Sequence, residues 1–189
     1  MSNSRTDPFT GGTARLRATT ILSGATGVEL TGGSNEIRVD SIKASTGAGV
    51  VLGGGTNVIE ATTIHSDTLS GILAYGGTNE VNARLIESNG SHGVKLFFVA
   101  DPVALRINGA RIVTTVFAAG VRAIQIEGVD GPTLKDCVLV SSLAAAESIY
   151  ANAPTDVRLY GSNMANKPKH ADVTFVTGGS RFEVDAAVD

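Results

Sequence analysis

At 189 residues the chain has the length of one domain and enough material to bury a sizeable core. Lys and Arg number 15 against 18 Asp and Glu, and a net charge of -3 gives no basic field for a nucleic acid or an anionic membrane surface. Trp is absent, Gly contributes 23 residues, and Cys137 is alone, so an intramolecular disulfide framework is excluded and many tight turns are expected.

Met1 to Gly12 is polar, contains Pro8 and ends in a Gly pair, which reads as a flexible N-terminal tail over residues 1–12. It lacks the apolar run of a secretory signal, and no window approaches the roughly 18 apolar residues of a membrane span, so a soluble chain outside the Sec route is expected. From Thr13 short runs alternate apolar and polar residues between Gly, Ser, Thr and Asn, which predicts strands with one face in and one face out. Between Asn35 and Ala100 the runs repeat. Asn35 to Thr56, Asn57 to Thr78 and Asn79 to Ala100 align without gaps at a period of 22 residues.

Three columns of inward residues step by that period: Ile37, Ile59 and Val81; Ile42, Ile64 and Ile86; and Val28, Val50, Ile72 and Val94, with Leu30, Leu52, Ala74 and Leu96 two places later. One such unit cannot bury its own face, but a pile of them forms a continuous core, the logic of a solenoid. Gly32-Gly33, Gly53-Gly54-Gly55 and Gly76-Gly77 supply a turn to each unit. Asn35, Asn57 and Asn79 share a column just after it, with Asp101 expected next, and a stack of amides there reads as a structural ladder along the axis. A leucine-rich repeat fits poorly, because no helical period separates the strands and the columns hold Val, Ile and Ala as often as Leu.

Beyond Ala100 the register loosens. Val103-Ala104-Leu105 is expected in the column of Val81, and a loop insertion is predicted at about 109–120 before Ala123-Ile124-Gln125-Ile126 resumes the third column. Later strand-like runs at Ser148 to Ala151, Asp172 to Thr177 and Arg181 to Asp185 bring the expectation to about seven rungs in a single all-β domain over 13–189.

The phrase Thr26-Gly27-Val28-Glu29-Leu30-Thr31-Gly32-Gly33-Ser34-Asn35-Glu36-Ile37, echoed at Gly49, Gly71 and Gly93, resembles the rungs of right-handed parallel β-helix proteins of the pectate-lyase-like superfamily. That superfamily includes pectin-degrading enzymes and many bacteriophage tail spikes and other virion appendages. The resemblance implies a right-handed parallel β-helix and leaves the activity open, because one coil carries lyases, hydrolases, receptor binders and shafts.

The catalytic signatures of polygalacturonase-like relatives are incomplete. Gly90-Ser91-His92-Gly93 lacks the glycine before the histidine and reads as a turn, while Asp40, Glu60 and Glu87, in the column of Lys43 and His65, read as solvated faces. Asp130 with Asp136, or Asp67 with Glu87, lacks a clear third ligand, so no metal and no cofactor is expected. Cys137 reads as a small core residue. The Gly-Gly-x-Gly-x-Asp calcium repeat is absent, and Thr62-Thr63 and Thr114-Thr115 do not form the stacked ladder of an ice-binding face.

The outward column Glu29, Val51, Leu73, Lys95 instead places two aliphatics on successive rungs, beside Tyr75, Phe97 and Phe98 and near Val116 and Phe117. An exposed patch of this kind is covered by a partner or by the 109–120 excursion. With the resemblance, it leads to the expectation of a non-catalytic structural or host-surface-binding virion protein: a tail spike, fibre or capsid decoration. Its partners would be further copies in a homotrimer, other virion proteins or a host-surface glycan. The alternatives are a carbohydrate-active β-helix enzyme, its carbohydrate-binding remnant, or a bacterial surface protein.

Overall fold

The computed structural model describes residues 12–97, 103–116, 120–129, 131–141, 148–152 and 156–160, with the backbone alone for 173–175 and 181–184. In chain order the strands are β1 (Thr13–Ser23), β2 (Val28–Leu30), β3 (Ser34–Ala44), β4 (Val50–Ser66), β5 (Ile72–Ser88), β6 (Val94–Phe97), β7 (Val103–Asn108), β8 (Arg111–Thr114), β9 (Ile124–Glu127), β10 (Thr133–Lys135), β11 (Val138–Ser141), β12 (Ile149–Ala151), β13 (Asp156–Tyr160), β14 (Val173–Phe175) and β15 (Arg181–Val184). There is no helix among the described residues, and the tail expected over 1–12 lies outside them apart from Gly12.

Each rung contributes strands that pair only with the rungs before and after it, and every pairing is parallel. Three faces result. The first runs through β2, the starts of β4 and β5, then β6, β9, β12 and β14. The second runs through β1, β3, the middles of β4 and β5, then β7, β10, β13 and β15. The third uses the ends of β1, β3, β4 and β5 and then β8 and β11. The coil makes about six turns, close to the seven rungs anticipated.

Side chains from all three faces meet inside. Leu30, Leu52 and Leu96 from the first, Ile37, Ile59 and Ile107 from the second, and Ile42, Ile64, Ile86 and Ile112 from the third are each fully buried. Every layer places like on like, so the apolar surface lost by one rung is covered by the next. Leu16 and Ala18 of β1, in the first rung described, are partly buried and pack against this core.

The turn from the first face to the second requires glycine. Gly33, Gly55 and Gly77 have φ of 73°, 76° and 82° and stack on one another. A β-carbon on Gly55 would lie 2.2 Å from the Gly33 carbonyl oxygen. A left-handed backbone and a neighbouring turn within touching distance both exclude a side chain there.

Two sequence expectations change beyond Leu96. Asn79 pairs with Leu105 and Val81 with Ile107, a step of 26 residues rather than 22, so neither Asp101 nor Val103-Leu105 occupies the expected column. The shift is even, which leaves the inward and outward alternation intact: Val103, Leu105 and Ile107 all point in. Part of the predicted 109–120 insertion is also regular structure. Arg111–Thr114 form β8, paired with Leu85–Ser88 on one side and Val138–Ser141 on the other. The additional residues are divided between 98–102 and the segment after Thr114.

Candidate functional site

At the bend between the second and third faces, outward side chains of successive rungs line an open trough of about 890 Å³ that runs along the axis from Arg17 to Asn108. Its floor is Ala18, Val39, Ala61 and Ala83, small residues that let the surface dip. Asp40 and Glu60, which the sequence places in different columns, both line it, together with Arg38, Asn82 and Arg84. Two of these, Arg38 and Glu60, are ion-paired with each other. Arg38 Nε lies 2.7 Å from Glu36 Oε1 and 3.3 Å from Glu60 Oε2, and Arg15 Nε lies 3.3 Å from Glu36 Oε2. Asn108 closes the row, donating to Asn82 Oδ1 at 2.8 Å and to Glu80 Oε1 at 3.1 Å.

On the third face the column Lys43, His65, Glu87 gathers Asp67 as well. His65 Nδ1 is 3.0 Å from Glu87 Oε2, its Nε2 is 2.7 Å from Asp67 Oδ1, and Lys43 Nζ is 3.4 Å from Asp67 Oδ2. His65 thus bridges the Glu87 and Asp67 carboxyl groups, and with Lys43 the arrangement clamps three rungs together. The hydrogen bond from His65 holds the Asp67 carboxyl below the ordinary carboxylate range against a smaller opposing effect of desolvation. The partner shared by Asp67 and Glu87 is therefore His65. No group of three His, Cys, Asp or Glu among the described residues is placed to hold a metal ion.

The outer surface of the first face carries the aromatic residues. The column Glu29, Val51, Leu73, Lys95 is in register as expected and continues through Gln125 and Tyr150. Val51, however, is 7% exposed and cannot serve as an open contact. It sits between Glu29 and Leu73, two places from Gly53, over which the Tyr75 ring leans so closely that a β-carbon on Gly53 would be 2.6 Å from the phenol oxygen. Leu73, Tyr75 and Phe97 are half-buried, and the two rings pack with centroids 5.4 Å apart and planes 40° from parallel. Burial, with a smaller push from Glu29, raises the Tyr75 phenol above its ordinary value. Val116 follows β8, is half-buried, and turns its N–H to Thr114 Oγ1 at 3.4 Å. Phe98, Phe117 and Asp130 lie outside the described residues. Among the described residues the exposed large apolar side chains lie elsewhere: Leu22, Leu69 and Tyr160.

The family model for the right handed beta helix region matches residues 26–185, nearly the whole coil. The chain belongs to that family. No curated protein matches it, and no solved structure matches it.

Within this right-handed β-helix, Asn35, Asn57 and Asn79 form the anticipated structural column. Asn35 Nδ2 donates to Asn57 Oδ1 and Asn57 Nδ2 to Asn79 Oδ1, each at 2.7 Å, and the same amides donate to the carbonyls of Gly32, Gly54 and Gly76 in the turns. The column ends with Asn79, whose amide also reaches the Ala104 carbonyl at 3.4 Å. Cys137 is fully buried with its Sγ near the Ile107 and Lys135 carbonyls, and burial pushes its thiol up, which suits a core residue. His92 accepts a hydrogen bond from the Arg122 N–H at Nδ1, 3.1 Å, and burial lowers its pKa to about 4. It is a neutral acceptor that anchors the entry to β6. The runs expected to resume the third column, Ile124 to Ile126 and Ile149 to Ala151, are in register, and their outward places hold Gln125 and Tyr150, which the sequence does not single out.

Proposed function

We propose that this β-helix is a non-catalytic structural or host-surface-binding protein of a virion, of the tail-spike, fibre or capsid-decoration kind, working as a homotrimer. The observation that supports it is the cluster of Leu73, Tyr75 and Phe97, held half-open on the outer surface of a stiff, multi-rung face. Side chains of that size on a rigid plane suit contact with a broad partner, because the scaffold loses little freedom on binding. A trimer of parallel coils would bury this surface against a neighbour and leave the other faces for the host. Light scattering coupled to size exclusion tests the assembly: a mass near three chains is expected, and a monomer at micromolar concentration would refute it.

One observation favours the second reading, a carbohydrate-active enzyme or its binding remnant. Asp40 and Glu60 line one trough along the axis, the minimum equipment for acid and base in glycoside cleavage. Against it, the Glu60 carboxylate is already engaged by Arg38 at 3.3 Å within the protein. Incubation with acidic and neutral polysaccharides, read by reducing-end release, separates the two readings. No release is expected; release that is lost in Glu60→Gln would establish the enzyme.

A further inference from the structure

We propose that Asn89, at the exposed corner where the third face ends, is a self-modification site: its side-chain amide is lost to attack by the Gly90 backbone nitrogen, with the Thr115 hydroxyl holding the carbonyl under attack. Site and chemistry are independent of what the coil binds.

The chain holds two Asn-Gly pairs, Asn89-Gly90 and Asn108-Gly109. Glycine after asparagine leaves the main-chain nitrogen free to approach the side-chain carbonyl, because no β-carbon stands in the way. The fold treats the two pairs differently. Asn108 is half-buried in β7, and its Nδ2 donates to Asn82 Oδ1 at 2.8 Å and to Glu80 Oε1 at 3.1 Å. The Gly109 N–H donates to the Lys135 carbonyl at 2.8 Å, so both reacting groups of that pair are engaged. Asn89 and Gly90 are exposed in the turn directly after β5, and among the described residues the Gly90 N–H reaches only Ser88 Oγ, at 3.3 Å. That bond is longer than an ordinary N–H···O contact. A β-carbon at Gly90 would collide with the Thr68 carbonyl of the preceding rung, so the stacking of turns keeps the reactive pair in place.

Successive rungs build the rest of the site. Asp67, Asn89 and Thr115 occupy one corner, their N–H groups donating to the Ala44, Ser66 and Ser88 carbonyls of the rung before. Thr115 Oγ1 donates to Asn89 Oδ1 at 2.8 Å, and Asn89 Nδ2 lies 3.4 Å from His65 Nε2. The oxygen that gains negative charge during the attack therefore has a donor already in place. The Gly90 nitrogen forms a bond to Asn89 Cγ, the Cγ–Nδ2 bond breaks, and the amide nitrogen departs as ammonia with the proton that Gly90 gives up. A five-membered imide remains. Solvent water opens it: cleavage of the bond to Cγ leaves an aspartate at this position, and cleavage of the bond to the main-chain carbon leaves its β-linked isomer. Either product makes the chain one charge more negative, and the aspartate form sets its carboxylate beside His65 and Asp67.

Incubation of the full chain at mildly alkaline pH, followed by peptide mapping by mass spectrometry with an ammonia assay alongside, tests this. In the folded protein Asn89 should convert at least about tenfold faster than Asn108, and in urea the two rates should converge, since unfolding removes the hydrogen bonds that separate them. The ratio in the parent needs no variant to fold. Thr115→Val should slow Asn89 by about fivefold, the worth of one hydrogen bond, while Thr115→Ser keeps the hydroxyl and the parent rate. Asn89→Gln should abolish most of the ammonia released by the folded chain. Equal rates at Asn89 and Asn108 in the folded protein, conversion of Asn89 in urea alone, or a rate at Asn89 that a folded Thr115→Val leaves unchanged would overturn the proposal.

Discussion

Asn57 occupies the middle of an amide column, bonded to an asparagine on either side. It receives from Asn35 and donates to both Asn79 and the Gly54 carbonyl, at 1% exposure. Asn57→Ala leaves a buried donor on Asn35 and buried acceptors on Asn79 and Gly54, which should cost about 3 kcal/mol. A urea titration would show this as a lower midpoint with little change in slope. His92 offers a test by pH. Its pKa falls from the ordinary 6.5 to about 4 in the fold, so between those values the unfolded chain holds a proton that the folded chain refuses. Stability is therefore complete above pH 6.5 and is lost as the pH falls toward 4, by up to about 3 kcal/mol for a shift of this size. Thermal melts from pH 7 to pH 4 should show the loss, and His92→Gln, which keeps an acceptor for the Arg122 N–H, should flatten it.

The turns depend on glycine for two separable reasons, backbone handedness and lack of room, and the rungs allow each to be probed. Gly55→Ala forces a side chain into a left-handed position and against the Gly33 carbonyl, and should cost about 3 kcal/mol. Gly24→Ala, where a β-carbon meets nothing within 4 Å, should change the melting temperature by little. Strand β8 teaches a related lesson. Arg111–Thr114 lies within an Ala-rich, loosely patterned stretch, and only pairing with Leu85–Ser88 identifies it as a strand. Four residues are too few for alternation to be read without a neighbour to align against. The clamp at His65 is half visible for the same reason. Lys43, His65 and Glu87 fall in one column by the 22-residue step, but Asp67 enters from the adjoining corner, which periodicity does not place.

The architecture is legible because a solenoid writes its contacts into its period: a residue and the one it touches are a fixed number of places apart, as with Ile42, Ile64 and Ile86. The same regularity conceals the candidate sites. Asp40 and Glu60 share a trough because the coil bends between them, and Val51 is buried although its place in the column is an outward one, and neither follows from register alone. Where the step changes from 22 to 26 residues, sequence alignment fails while pairing continues. The amide column also has a direction. All its donors point toward the C-terminal end, so its dipoles add and each bond polarises the next. The column begins on Asn35 Oδ1, a buried acceptor with no partner, above Ala14 in the preceding rung, and it ends where Leu105 offers no amide. The amide column thus has an open end and a terminated one. A duplicated 22-residue unit bearing Asn would be accommodated before Asn35, where its amide would complete the open oxygen, and not after Asn79, where the line of dipoles has already been discharged into the main chain.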